Sequence, residues 1–138
     1  MKEESLELTD KLRLNAEMVI GNLSQHAGFQ LGFDAESVEW VDGFIERQRS
    51  RDDFDAASSG GLVNTLGSFL GECMCQALGG VWRQQPDGAL IVEFSDGNAA
   101  YPFNKVAKHL ANGSDDSIHS FFRSAAVLFH PQNVRDDD

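Results

Sequence analysis

Among the side chains able to do chemistry, Glu72 stands out. It ends the run Leu66-Gly-Ser-Phe-Leu-Gly-Glu72 and lies shortly before Gly79-Gly-Val-Trp82. A carboxylate beside glycines is the kind of group that serves as a general base. At about 100° per residue, Leu62, Leu66, Phe69, Leu70, Cys73 and Ala77 share one broad helical face. Glu72 falls opposite, with Thr65, Ser68 and Gln76. That is the position of a solvated or sheet-edge stripe, and capping of backbone groups near Gly79-Gly80 is a second structural use. A structural role is expected for Glu72.

The other nucleophiles and ligands give weaker signals. Cys73 and Cys75 are two apart on the same expected helix, so they point to nearly opposite sides and cannot pair. Cys75 lies near the edge of the polar stripe, with His109 or His119 as a distant partner. No Gly-x-Ser-x-Gly elbow is present, and both thiols read as structural. His26, His109, His119 and His130 are scattered without His-x-His or i, i+4 spacing, so no metal and no cofactor are expected.

Two charged clusters remain. Ser58-Ser59-Gly60-Gly61 opens a helix, and free amides at a helix N-terminus favour phosphate. Arg47, Arg49 and Arg51 lie close by in sequence, so the arginines with Ser59, Gly60 and Gly61 form a candidate anion site. The loop lacks the Gly-Lys-Ser/Thr ending of a phosphate loop, and Asp52, Asp53 and Asp55 would neutralise the arginines locally. The second cluster is acidic: Asp52, Asp53, Asp55, Asp115 and Asp116 could dock a basic protein, with Asp136 to Asp138 adding charge at the end.

The bulk charge points the same way. Asp and Glu number 22 against 11 Lys and Arg, a net charge of −11. Such a field repels nucleic acid and anionic lipid and attracts basic partners, so no nucleic acid and no membrane are expected as partners. Solubility alone also accounts for an acidic balance. The first residues, Met-Lys-Glu-Glu-Ser-Leu, do not read as a signal peptide, and two unpaired cysteines suit a reduced cytoplasm. Monomer and homodimer both stay open.

The elements that must position these groups are legible from periodicity and punctuation. The 138 residues suit one domain, which at this size buries roughly 68% of its unfolded surface without a metal or disulfide. A first helix is expected from about Thr9 to His26, capped by Thr9 or Asp10. A second starts at Asp34 and runs to about Ser50, and a third covers Leu62 to Leu78. Gly67 and Gly71 notch the third helix. Each costs about 1 kcal/mol relative to Ala, so a close neighbour is required there. Pro86-Asp-Gly88 and Ser95-Asp-Gly-Asn98 separate three short β-rich runs, which predicts an antiparallel meander whose edge Pro102 limits. Helices over Phe103–Ala111 and from Asp115 or Asp116 onward close the domain. The second of these carries Ile118, Phe121, Phe122, Ala125, Leu128 and Phe129 on one face and stops at Pro131. The expected core is Trp40, Val41, Ile45, Leu66, Leu70, Cys73, Trp82, Leu90, Val92, Phe121 and Phe122.

Val38-Glu-Trp-Val-Asp-Gly43, Leu66-Gly-x-x-Leu-Gly-Glu72 and Gly79-Gly-x-Trp82 together resemble a family of small bacterial domains of unknown function. Tyr101-Pro-Phe-Asn-Lys-Val106, Asn112-Gly113 and Asp116-Ser-Ile118 fit the same resemblance, which covers about Asp34 to Phe129. It implies a compact bacterial cytosolic domain and brings no catalytic residues. The resulting expectation is a single α+β domain of several helices on a three-stranded antiparallel sheet. An N-terminal helix and connector would span 1–33, the α+β unit 34–130, and a mobile acidic tail 131–138. The expected function is a non-enzymatic protein-binding module, one form of which is an immunity-type inhibitor of a basic partner such as a cationic nuclease toxin. The alternative is a small anionic-ligand-binding domain.

Overall fold

The structure, a computed structural model, describes residues 2–129, with side chains from Leu8 onward. His130, Pro131 and the acidic tail lie outside the described residues. The chain runs α1 (Lys2–Ala27), α2 (Ala35–Arg49), α3 (Gly60–Leu78), β1 (Val81–Gln84), β2 (Leu90–Glu93), β3 (Ala99–Ala100), α4 (Pro102–Asn112) and α5 (Ile118–Phe129). Short 3-10 turns occupy Ala56–Ser58 and Gly113–Asp116. Five helices pack with a small three-stranded antiparallel sheet, the expected α+β domain.

Local signals set most boundaries. Asp34 caps α2 by accepting from the Ser37 N–H at 2.9 Å. Gly79 ends α3 in the left-handed region, with φ 79°, and its N–H returns to the Cys75 carbonyl. The two Asp-Gly turns place Gly88 and Gly97 at φ 91° and 89°, while Asp87 and Asp96 accept the N–H of Ala89 and Asn98. β1 pairs with β2 from Val81 opposite Glu93 to Gln84 opposite Leu90, and β2 pairs with β3 at Val92 opposite Ala100.

Four expectations at element ends are corrected. Thr9 and Asp10 lie inside α1, which starts at Lys2. Pro102 is the first residue of α4 and buried, so it opens a helix rather than blunting a sheet edge. Ser117, not Asp115 or Asp116, caps α5, its Oγ accepting the Ser120 N–H at 3.1 Å. Leu128 points outward from α5, 72% exposed.

α3 is the centre of the molecule. Every residue from Leu66 to Met74 is buried, including Ser68 and Glu72. The polar stripe read on the helical wheel is thus exposed at its ends, Thr65 and Gln76, and buried in its middle, Ser68 and Glu72: α1 packs against α3, and its Leu12, Ala16 and Val19 join the hydrophobic core. The glycine notch is occupied on the remaining side. A Cβ at Gly67 would strike the Phe103 ring, and one at Gly71 would strike the Trp82 ring and Pro102. Of the expected core, Trp40, Leu90 and Phe121 are only half-buried. Trp40 instead stacks on Phe44 and carries the Arg47 guanidinium 4.9 Å above its ring. Among the described residues, no helix is long and apolar enough to cross a membrane.

Candidate functional site

Glu72 is held from three elements. Its Oε2 accepts the Trp82 indole N–H at 3.0 Å, and its Oε1 accepts Arg13 Nε at 3.3 Å and Gln76 Nε2 at 3.2 Å. Arg13 belongs to α1 and is half exposed, whereas the carboxylate is 2% exposed. With its oxygens engaged on every side, Glu72 anchors α1 and β1 to α3. The sequence placed the group on a solvated or sheet-edge stripe; in the structure it is buried and bonded to side chains of α1, α3 and β1.

A second polar network joins α2, α4 and α5. His109, fully buried, lies 2.7 Å through Nε2 from Glu46 Oε2, and its Nδ1 accepts the Ile118 N–H at 3.3 Å. With Nδ1 accepting, the hydrogen-bond network assigns the ring proton to Nε2, where Glu46 takes it. Asp42 Oδ2 accepts the Ser117 hydroxyl and the His119 N–H. The imidazole is thus bonded on both edges by groups that tie three helices together.

The thiols are held protonated. Burial, then the nearby Glu72 carboxylate, pushes Cys75 up to about 12, and burial raises Cys73 in the same direction. Neither is poised as a nucleophile at neutral pH.

The three arginines do not converge. Arg47 lies on Trp40; Arg49 donates from Nε to the Leu110 carbonyl and from Nη1 to Glu46; Arg51 pairs with Asp53 and reaches Gln48. Only Arg51 shares a cavity with Ser59 and Gly61, and Asp53 and Asp55 line that cavity too. The Ser59 hydroxyl is turned to the Asp55 carbonyl. Gly60 begins α3 beside it without joining the lining.

The acidic residues fare differently. Asp55 caps the turn at Ala56–Ser58, and Asp116 accepts from Asn112 and Lys105. The Asn112 carboxamide, with Lys105 adding to it, holds Asp116 below the usual carboxylate range. Asp52 and Asp115 stay exposed without a bond to another described side chain, and Asp53 is exposed beside Arg51. Arg49, three residues before Asp52, bonds the Leu110 carbonyl and packs against Gly113, the first residue of the turn carrying Asp115. The turn that carries Asp115 thereby lies against the C-terminal end of α2.

A groove that sequence reasoning missed lies at the other end of α4. It spans about 470 Å³ between α1, α3, the β1–β2 turn and the start of α4. Asn15, Asn64, Asn104 and Tyr101 reach it over a floor of Leu12, Leu90 and Phe103. Four separate segments supply these residues, so no local motif marks it. The signal that would have found it is an aromatic, Tyr101, beside an asparagine, Asn104, at the entry to an amphipathic helix that buries Val106, His109 and Leu110.

Among the described residues, no group of three His, Cys, Asp or Glu side chains is placed to hold a metal ion. No family model, curated protein or solved structure matches the chain.

Proposed function

We propose that the chain is a non-enzymatic protein-binding module that docks a basic partner at the acidic loops carrying Asp52, Asp53 and Asp115. The observation that supports this reading is the set of exposed carboxylates Asp52, Asp53 and Asp115 on two loops that flank the Arg49 contact with Leu110 and Gly113, in a chain of net charge −11. A field of this sign steers a cationic partner and strengthens as ionic strength falls. The groups with catalytic chemistry support the same reading, because Glu72 and His109 are engaged in holding elements together and burial keeps both thiols protonated. An immunity-type inhibitor of a cationic toxin in a bacterial cytoplasm is one form such a module takes.

The test compares three tagged proteins as baits in lysate at low and high salt. These are the wild type, D52N/D53N/D115N, and a control E17Q/E36Q/E39Q that removes the same charge from exposed sites on α1 and α2. A basic protein held by wild type and control, lost from the first variant and released by salt, is the expected result. Equal retention by all three baits would sink the proposal.

A further inference from the structure

We propose that the groove at the N-terminal end of α4 is a binding site for an uncharged saccharide. A quarter of the chain is charged, 24% of residues, yet among the described residues no charged side chain lines this groove. Its volume of about 470 Å³ falls within the ~300–1,000 Å³ of small-molecule sites. Asn15, Asn64 and Asn104 come from α1, α3 and α4, and all three are exposed with side-chain amides that no other described residue engages. A carboxamide offers both donors and acceptors on one plane, and a sugar hydroxyl likewise donates and accepts, so three amides around one space match a polyol edge. A charged ligand would find no counter-charge there.

The floor supplies the other half of the match. Leu12, Leu90 and Phe103 are apolar, and Tyr101, 50% exposed, presents a ring with a polar tip at the rim. A pyranose has the same division, with C–H faces and hydroxyl edges. Phe103 is fixed in the floor because Gly67 leaves room for its ring, so the floor exists in the free protein. Ser68 takes no part, since its hydroxyl is donated to the Asn64 carbonyl. The acidic segments lie at the opposite end of α4, so this site stands or falls independently of the docking edge.

The test is a ¹⁵N–¹H titration of the full chain with maltose, cellobiose and N-acetylglucosamine. Galacturonate, glucosamine and an N-acetylated dipeptide amide serve as comparators. At least one neutral sugar is expected to shift the side-chain amides of Asn15, Asn64 and Asn104 with a weak Kd, on the order of 1 mM. Asn104→Ala and Tyr101→Ala, both at exposed positions, should each weaken it about threefold to tenfold. No shift with any neutral sugar would overturn the proposal. Tighter binding of the dipeptide amide or a charged comparator would overturn it as well, as would affinity unchanged in both variants.

Discussion

The indole N–H of Trp82 donates to the buried carboxylate of Glu72 across the turn that joins α3 to β1. One residue earlier, Gly71 leaves the space that the same ring fills. Gly71 and Glu72 are thus one device: the glycine admits the ring, the carboxylate satisfies its polar atom, and Arg13 ties α1 to the second oxygen. A buried indole N–H without such a partner would carry a full desolvation cost.

Gly71→Leu should destabilise the fold by about 1–3 kcal/mol, because the new side chain must displace Trp82 and Pro102. Gly21→Ala is the matched control. It lies in α1 with nothing near its virtual Cβ, and there alanine should stabilise by up to about 1 kcal/mol. Thermal melts of the two variants should move in opposite directions. An unchanged melting temperature for Gly71→Leu would refute the notch.

Glu72→Ala strands the Trp82 N–H and the Arg13 head, and should cost about 1–3 kcal/mol in urea unfolding. Glu72→Gln keeps an acceptor for the indole and loses only a pair with a half-exposed arginine, so its cost should be smaller. Equal, negligible costs for the two would mean that the carboxylate sits in water, as the helical wheel alone suggests.

That wheel explains what was legible and what was not. Asp34, Gly79, Gly88 and Gly97 act through bonds within a few residues, so caps, turns and the order of elements follow from local sequence. The notch was readable because two glycines in one helix demand a neighbour. Glu72 and Ser68 were misplaced because a wheel records one helix's own polarity, while burial depends on what packs against it. Here that is α1, whose Arg13 lies 59 residues before Glu72 in the chain. Arg47, Arg49 and Arg51 formed a cluster only along the sequence; Arg47 and Arg49 leave α2 in different directions, Arg51 lies beyond its end, and each found its own partner. The amide-lined groove draws on four segments and was invisible for that reason.

Ser117→Ala removes the cap of α5 and the hydroxyl that Asp42 accepts, and should cost about 1 kcal/mol. Asp42→Asn keeps acceptor capacity for the His119 N–H while weakening both bonds, so its cost should be smaller. The double variant should cost less than the sum of the singles, because they share one bond. Additive costs would show that Ser117 acts only as a cap.

Cys75 gives a prediction in the alkaline range. Its thiol is pushed up to about 12 in the fold, against about 8.5 in an unfolded chain. Between those values the unfolded state releases its proton while the native state keeps it, so stability is full below about pH 8.5 and declines as pH rises. Cys73 is shifted in the same direction by burial and adds to the decline. Urea midpoints of the wild type should therefore fall from pH 8 to pH 10, and Cys75→Ala should fall less steeply. The same burial predicts slow reaction of the native protein with a thiol reagent at pH 8, and rapid reaction of both cysteines once unfolded. Rapid modification of Cys75 in the native state, with an alkaline limb indifferent to the substitution, would place this thiol in solvent and reopen it as a nucleophile.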